Sequence, residues 1–524
     1  MAKIFQTIPI NRPKSNVFDL SHERKMSMNM GDLVPCLVQE VIPGDKFRVT
    51  MEHLIRFQPL LAPMMHRVNV YTHFFFVPHR IVWNEFEKFI TGGEDGKQAP
   101  TFPKLYISSN NNYANLKPGT LADYMGVPVS NIAPGSIKLE VSSIPFRAYQ
   151  LIYNEFYRDQ NLTAPIEFSK SSGVVIGADV DKLLTIRKRA WEKDYFTSAL
   201  PWAQRGEQLI IPLSANASVL SDGTPPLLVN KISGSPSLTG IYTNSTGHLV
   251  DDSNHDLKFG TSTGLETDLS NVSSSTINEL RQAFQIQKWL ERSARSGSRY
   301  IEQILAHFGV QSSDARLQRP EYLGGGKTPV VISEVLQTSA TEQDSPQGTM
   351  VGHGISVGNS NTFKKSFEEH GYVIGIMSVI PRTSYQNGLP RHLQKFDKFD
   401  YYWPEFAHIG EQEVYKNEIF HDFTTNPSDV GSTNHETFGY QARYSEYRYA
   451  PDSVHGDFST NLDFWHMGRK FTSVPPLNTS FVTSDPTHRV FAVTDPKEHK
   501  LLVQTYVNFQ AIRPIAKYGE PAGI

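Results

Sequence analysis

The stretch Tyr71-Thr-His-Phe-Phe-Phe-Val-Pro-His-Arg80 constrains the fold more than any other part of the chain. Successive side chains of a strand point to opposite faces of a sheet, so a continuous aromatic and aliphatic run places apolar groups on both faces. Both faces must therefore be covered by other parts of the protein. Pro78 has no backbone N–H to continue the ladder, so we expect the strand to end there and a loop to start at His79.

Further strand signals recur along the chain. Lys46–Phe57 alternates apolar residues with polar ones, and the preceding Pro43-Gly-Asp45 is suited to reverse the chain. The other predicted strands are Leu33–Ile42, Val330–Leu336, Tyr372–Ile380 and Leu501–Phe509. Helices are predicted at Trp83–Ile90, at Phe146–Tyr157, from Thr276 onward and at Tyr300–Phe308. The 36 glycines and 33 prolines suit short strands with many loops, so we predict an all-β architecture.

Two parts of the chain differ in composition from the rest. Residues 1–30 are polar, and we interpret them as an N-terminal arm that orders against a neighbouring subunit, or as an ordinary ragged terminus. Residues 207–275 are rich in Ser, Thr, Asn and Gly, which predicts an exposed insertion. The sandwich strands would then come from residues 31–206 and 276–524, both with loop helices.

The charge balance excludes a strongly basic coat for nucleic acid. The chain has 50 basic and 53 acidic residues and a net charge of −3, whereas a protein that neutralises DNA by itself is clearly basic. Cys36 is the only cysteine, so no intrachain disulfide is possible. The longest apolar run, Tyr372–Ile380, is too short for a bilayer, which needs about 20 residues. With no visible signal peptide, we expect a soluble protein made in the cytoplasm.

One glycine-rich segment resembles a phosphate-binding loop, but only superficially. Leu323-Gly-Gly-Gly-Lys-Thr328 has Glu321 where the motif requires its first glycine. The following residues, from Pro329, favour a strand rather than the helix whose N-terminus would bind phosphate. We therefore interpret the segment as a flexible turn.

The sequence shows no candidate for catalysis. It has no paired His/Cys spacing for zinc and no Gly-x-Ser-x-Gly elbow. Asp251–Asp256 lacks the spacing of a calcium loop, and a solvated loop is the simpler interpretation. His73 and His79 are expected to be structural histidines. We thus predict a protein that is not an enzyme and has no cofactor, while a structural divalent cation such as Ca²⁺ stays open.

The segment Tyr440-Gln-Ala-Arg-Tyr-Ser-Glu-Tyr-Arg-Tyr449 combines aromatic and basic side chains. Such a mixture can stack bases and bind phosphates of single-stranded DNA. It is also typical of subunit interfaces, where Tyr and Arg are enriched, or of a core. Because net basicity is absent, we favour the interface or core over DNA. The residues concerned are Tyr440, Tyr444, Tyr447 and Tyr449 as interface aromatics, with Arg443 and Arg448 between them.

Several blocks of the sequence resemble the major capsid protein of the microviruses, in particular the gokushovirus-like branch. The resemblance lies in the number of these blocks and in their order along the chain. The resemblance covers most of the chain. It rests on Asn16–His22, Pro43–Asp45, Tyr71–Arg80, Phe146–Asn161, Arg319–Gly324, Gly371–Leu389 and Gly439–Phe458.

The resemblance implies a single eight-stranded antiparallel jelly roll of the viral capsid type, with long loops that carry a few helices. Such a subunit would form a homo-oligomer, a T=1 icosahedral shell built from pentamers around a circular single-stranded DNA genome. Residues 207–275 would form a protrusion at the three-fold axes that attaches to a host cell-surface receptor. The protein would be found in the virion, after assembly in the host bacterial cytoplasm and without membrane insertion.

The same resemblance implies two further protein partners, a small basic DNA-binding virion protein and a scaffolding protein during assembly. Candidate contacts with DNA at the inner surface are Lys3, Arg12, Lys14, Arg443 and Arg448.

Two other functions remain compatible with the residues. A β-sandwich carbohydrate-binding or carbohydrate-active protein would use aromatic loops to hold sugar, although that class usually has a secretion signal. A single-stranded-DNA-binding protein would bind DNA tightly, with a steep dependence on salt.

Overall fold

The computed structural model describes residues 14–108, 116–129, 138–206, 277–336, 350–425 and 432–518, together with short strands between 218 and 268. The chain divides into a larger unit, residues 1–203 and 293–524, and a smaller unit, residues 204–292.

Two antiparallel sheets dominate the larger unit. Their strands are β1 (Asn16–Asp19), β2 (His22–Met28), β3 (Val34–Val41), β4 (Lys46–Phe57), β5 (Val68–Pro78), β6 (Glu321–Pro329), β7 (Val331–Leu336), β8 (Met350–Ser366), β9 (Gly371–Pro381) and β10 (Leu501–Arg513). In the six-stranded sheet, β10 pairs with β1 and β2 on one side and with β4 on the other, followed by β8 and β7. The four-stranded sheet has the order β6-β5-β9-β3.

The chain passes repeatedly from one sheet to the other. Strands β2, β4, β8 and β10 belong to the six-stranded sheet, and β3, β5, β6 and β9 to the four-stranded one. This connectivity is that of a jelly roll, whose two sheets cover each other's apolar faces. The predicted all-β jelly roll is confirmed. Because β1 and β7 extend the larger sheet, the described sandwich has ten strands rather than eight.

The main core lies between the two sheets and follows from the alternation of buried and exposed residues in β4 and β10. Phe47 of β4 makes edge-on ring contacts with Phe367 and with Phe509 of β10, at centroid distances of 5.1 and 4.8 Å. Edge-to-face aromatic pairs add about 0.5–1.5 kcal/mol to the stabilisation from burial alone.

Strand β5 is covered on both faces, as its sequence predicts. Phe74 and Phe76 lie in the core between the sheets. Phe75 and Val77 lie in a second apolar cluster on the other face, with helix α1 (Ile144–Ile152) and the π-helical turn Tyr153–Tyr157 that continues it. After Pro78 the chain turns into the short helix His79–Val82.

Most helices lie in the long connections between strands. Two of them are labelled because they are used below: α2 (Ile277–Ser296) and α3 (Tyr300–Phe308). Gly297, which separates them, has φ = 103°, a conformation that favours glycine. The other α-helices are Phe86–Thr91, Leu121–Tyr124, Ala178–Leu184, Lys416–Ile419 and Thr479–Val482.

The remaining strands form small sheets outside the sandwich. In the larger unit they are Lys104–Ser108 with Lys138–Ser142 and Val174–Val175, Ser384–Tyr385 with Asp452–Ser453, and Glu411–Tyr415 with Thr437–Ala442. In the smaller unit they are Ser218–Ser221 with Leu265–Asp268, Leu228–Asn230 with Leu257–Phe259, and Tyr242–Thr243 with Leu249–Val250.

Part of the predicted N-terminal arm belongs to the sandwich. Residues 16–28 form β1 and β2, which pair with the last strand, β10. Their alternately exposed side chains explain why this part of the sequence is polar, since only one face of the sheet meets the core. Residues 1–13 lie outside the described residues.

The glycine-rich segment is not a flexible turn, as we interpreted it, but part of β6. Gly325 is paired with His73 of β5, and a Cβ atom at Gly325 would lie 2.2 Å from the carbonyl oxygen of Thr72. The glycine therefore permits close approach of two backbones. The absence of a helix after Lys327 removes the anion site of a phosphate-binding loop.

Candidate functional site

The aromatic and basic segment 440–449 folds back on the loop of residues 390–410. It begins in the strand Thr437–Ala442, which pairs with Glu411–Tyr415. Tyr444 then adopts a left-handed backbone conformation with φ = 64°, and the 3-10 turn Ser445–Tyr447 follows. The sharp reversal at Tyr444 places the following side chains next to the 390–410 loop.

The side chain of Tyr444 is buried and binds the 390–410 loop. It is only 2% exposed, and its hydroxyl donates to the carbonyl oxygens of Phe399 and Tyr401 at 3.1 and 3.0 Å. Tyr440 is half-buried, and its backbone exchanges two hydrogen bonds with Leu200, at 2.7 and 2.9 Å. The burial of Tyr444 fits the core alternative for this segment, whereas Tyr447 is exposed.

The basic residues of the segment also make contacts within the chain. Arg443 donates to the carbonyl oxygen of Phe399 at 2.9 Å, and its guanidinium lies 5.0 Å from the centroid of the Tyr444 ring. Arg448 donates to the carbonyl oxygen of Arg443 at 2.8 Å and is exposed. Of the predicted DNA contacts, Arg443 thus supports the loop.

The other predicted DNA contacts lie at the N-terminus. Lys14 is exposed just before β1. Lys3 and Arg12 fall outside the described residues. Asp251–Asp256, the segment considered for calcium, also lies outside them.

Large apolar and aromatic side chains are exposed along the two segments. We call this set the aromatic belt; each member is between 40% and 87% exposed. It comprises Leu393, Phe396, Phe399, Tyr401, Tyr402, Trp403, Ile409, Tyr447 and Tyr449. Tyr402 bridges the two segments, since its ring lies 5.3 Å from Tyr444 and 6.4 Å from Tyr447.

A buried cation holds the belt rings in place. The ammonium of Lys395 lies 3.9 Å from the centroid of the Tyr447 ring and 5.6 Å from that of Tyr401. The same nitrogen is 3.5 Å from a carboxylate oxygen of Glu446, and both side chains are almost inaccessible to solvent. A desolvated cation–π contact stabilises by about 2 kcal/mol, so these two belt rings are held in place.

A second ion pair stabilises the start of the 390–410 loop. Arg391 lies 2.9 Å from Glu418, whose carboxylate also accepts a hydrogen bond from the hydroxyl of Tyr195 at 2.9 Å. Burial raises the pKa of Glu418, while the Arg391 charge opposes that rise.

The aromatic belt suits protein association better than catalysis. Soluble monomers rarely expose large contiguous apolar patches, and aromatic residues are enriched where proteins bind each other. Within the described part of the chain, no group of three His, Cys, Asp or Glu side chains could hold a metal ion. Nor does any described helix have the length and hydropathy to cross a bilayer.

A basic face on the six-stranded sheet was missed in the sequence. Because Phe47 and Val49 point into the core, Lys46 and Arg48 of β4 point to the opposite side and are exposed. Lys364 of β8 is paired with Arg48 and shares this face. None of these three cations forms an ion pair with another described residue. The alternation of apolar and charged residues at the start of β4 indicated this basic face.

His73, in β5, and His79, directly after β5, are structural residues. The Nδ1 atom of His73 lies 2.9 Å from the hydroxyl of Tyr157, and His79 is buried between the rings of Phe86 and Tyr372. Burial lowers the pKa of each imidazole to about 4. Both are therefore neutral at pH 7.

Known proteins resemble this chain over nearly its whole length. Residues 5–523 match the family described as Capsid protein (F protein). The capsid protein VP1 of Chlamydia phage 1 is 35% identical, with 99% of this chain and 98% of that protein aligned. Capsid protein VP1 of Bdellovibrio phage phiMH2K is also 35% identical, over 99% and 97%. Capsid protein VP1 of Spiroplasma virus 4 is 31% identical, over 97% and 95%.

Proposed function

Because this chain belongs to the capsid protein (F protein) family, we propose that its copies assemble through the aromatic belt into a T=1 icosahedral shell, built from pentamers, around a circular single-stranded DNA genome. It is a structural virion protein and not an enzyme. The proposal rests above all on the belt, which leaves nine large apolar or aromatic side chains of one subunit open to solvent.

Burial of the belt between subunits would contribute free energy to assembly. Removing one large apolar side chain from water stabilises by about 1.5–3 kcal/mol. Only part of that gain appears as binding affinity, because association costs translational and rotational freedom. In a closed symmetric shell every contact is repeated in each subunit, so a modest interface suffices.

Replacing Trp403 by serine tests the belt. We expect the protein concentration needed for particle formation to rise tenfold or more, because a central aromatic contact contributes at least about 2 kcal/mol. Electron microscopy and sedimentation of the purified chain, with a scaffolding protein where one is required, would measure it. Trp403→Phe keeps an aromatic ring and serves as the matched control. Particles of Trp403→Ser that form at the wild-type concentration would contradict the role of the belt.

We further propose that the basic face of Lys46, Arg48 and Lys364 lies toward the packaged DNA. Phosphate contacts by cations release counterions, which favours binding. With a net charge of −3, the chain leaves most neutralisation to counterions, polyamines and a small basic virion protein. The exposed Lys14 and the N-terminal Lys3 and Arg12 are proposed as further contacts with DNA.

Charge reversal on this face tests the genome contact. Particles of the Arg48→Glu, Lys364→Glu double variant should retain clearly less nuclease-protected DNA than wild-type particles, because two attractive contacts per subunit become repulsive. The Lys88→Glu, Lys97→Glu double variant, at two exposed positions outside the six-stranded sheet, provides the same change of charge elsewhere. Equal DNA content in all three kinds of particle would mean that this face does not meet the genome.

The remaining proposals concern partners outside the shell. Residues 207–275 would form the exposed protrusion that binds a host cell-surface receptor, and assembly would take place in the host cytoplasm with a scaffolding protein. The composition of these residues, rich in Ser, Thr and Asn, supports an exposed position. Particles that lack residues 210–272 should still form but lose attachment to the host; failure of the deleted chain to fold would contradict an independent insertion.

A further inference from the structure

Helix α3 (Tyr300–Phe308) is amphipathic, and its polar residues make hydrogen bonds to the rest of the chain. The side-chain amide of Gln303 donates to the carbonyl oxygen of Ser293 at 3.2 Å. Nε2 of His307 lies 3.2 Å from the hydroxyl of the same serine. At the start of the helix, Arg299 donates to the carbonyl oxygen of Asn154 at 2.7 Å. These contacts fix the polar side of α3 on its own subunit.

The apolar side of α3 is open to solvent. Tyr300 is 70% and Phe308 79% exposed, and Leu305 is more than half exposed. Tyr300, Phe308 and Leu305 lie within one half of the helix circumference, since Phe308 is about 80° and Leu305 about 140° around the axis from Tyr300. We call these three residues the α3 stripe. An amphipathic helix normally buries its apolar side. Here Ile301 and Ile304 on that side are partly buried, whereas the described part of the chain leaves the α3 stripe open to solvent.

We infer that the α3 stripe packs against a second copy of this chain, in an interface distinct from the aromatic belt. This inference rests on the proposed assembly into a shell. Tyr300 and Phe308 make no ring contact with a belt residue among the described parts of the chain. The stripe thus makes no ring contact with the belt.

The symmetry of a closed shell requires a second kind of contact. A single two-fold interface joins two subunits and stops there. A single head-to-tail interface closes into one ring or grows into an open filament. A shell with several rotation axes needs at least two independent interfaces, and the belt accounts for one. The α3 stripe has the exposed aromatic area that the second one needs.

An introduced thiol measures whether the stripe becomes covered. Cys36 is fully buried, so Leu305→Cys would supply the accessible thiol of the chain. We expect this thiol to react with a maleimide readily in the free subunit and at least tenfold more slowly in the assembled particle. An equal rate in both states would overturn the inference. Slow reaction already in the free subunit would also overturn it, because the chain itself would then cover the stripe.

A disruptive variant separates this inference from the proposed function. Phe308→Ser should lower the yield of complete particles tenfold or more while small belt-linked oligomers accumulate, and Phe308→Leu should assemble like the wild type. An unchanged thermal unfolding temperature of the Phe308→Ser subunit would show that folding is intact.

The other outcomes of that experiment are equally decisive. Complete particles of Phe308→Ser at the wild-type yield would overturn the α3 interface and leave the proposed function intact. Loss of the small oligomers as well would assign α3 and the belt to one interface and overturn their separation. If the unaltered chain formed no particles with its scaffolding protein, the proposed function itself would fail.

Discussion

Replacing Phe509 by alanine is expected to lower the free energy of unfolding by about 3–5 kcal/mol, the usual cost of truncating a buried phenylalanine. Phe509 is fully buried in β10, and its ring meets that of Phe47 edge-on at 4.8 Å. The two sheets cannot collapse into the space left by the ring, because both are held by ladders of backbone hydrogen bonds on either side. Denaturant unfolding of the dissociated subunit would measure the loss.

The same strand provides the control. Tyr506 is three residues earlier in β10, points to the opposite face and is 40% exposed. Tyr506→Ala removes a side chain of similar size and should cost about 1 kcal/mol or less, since most surface substitutions have small effects. Equal losses for both variants would show that the core does not lie between the sheets.

Acidification from pH 7 to pH 5 is expected to destabilise the subunit by several kcal/mol, in large part through four buried or half-buried histidines. Burial lowers the pKa of His53, His66, His73 and His79 to about 4 in the folded chain. The Nδ1 atoms of His53 and of His79 are buried without a hydrogen-bond partner. A proton added there would leave a buried charge without an acceptor, so the folded state excludes it.

The direction of the effect follows from proton binding. In the unfolded chain a histidine has a pKa near 6.5, so the unfolded state binds protons first as the pH falls. The stability that each neutral histidine contributes is complete above about pH 6.5 and is lost between that value and pH 4, at about 1.4 kcal/mol per pH unit.

A comparison of pH slopes tests this expectation. The slope of unfolding free energy against pH should become shallower in His53→Gln, because one of these four histidines is gone. His392→Gln removes an exposed histidine and should leave the slope as in the wild type. Slopes measured between pH 7 and pH 5 that are equal in all three proteins would contradict a role for His53.

The strands were predictable because their signal is local. Alternation in Lys46–Phe57 and the continuous apolar run in Tyr71–Val77 report directly which faces of a strand are covered. Both segments have the predicted conformation, and β5 is buried on both faces as expected. The family resemblance implied a jelly roll, and the order of the strands in the two sheets agrees with it.

The features that the sequence did not reveal concern residues whose spatial neighbours are distant in sequence. Glycines such as Gly325 suggested a turn, but the residue is small because Thr72 of β5 lies against it. Tyr444 and Tyr447 belong to one aromatic and basic segment, yet Tyr444 is buried, with its hydroxyl bonded to the 390–410 loop, and Tyr447 is exposed. No local pattern distinguishes the two tyrosines.

The place of β10 in the six-stranded sheet has a consequence for synthesis on the ribosome. Val507 lies opposite His22 of β2 on one side and opposite Met51 of β4 on the other. The N-terminal strands β1 and β2 therefore have no pairing partner until β10, the last strand, has been translated. All strands of the four-stranded sheet have been translated by residue 381. Until β10 is translated, β2 and β4 expose open edges that invite misassociation. A chain truncated before residue 501 lacks the strand that joins them, so only subunits translated to the end acquire the shape that a shell can accept.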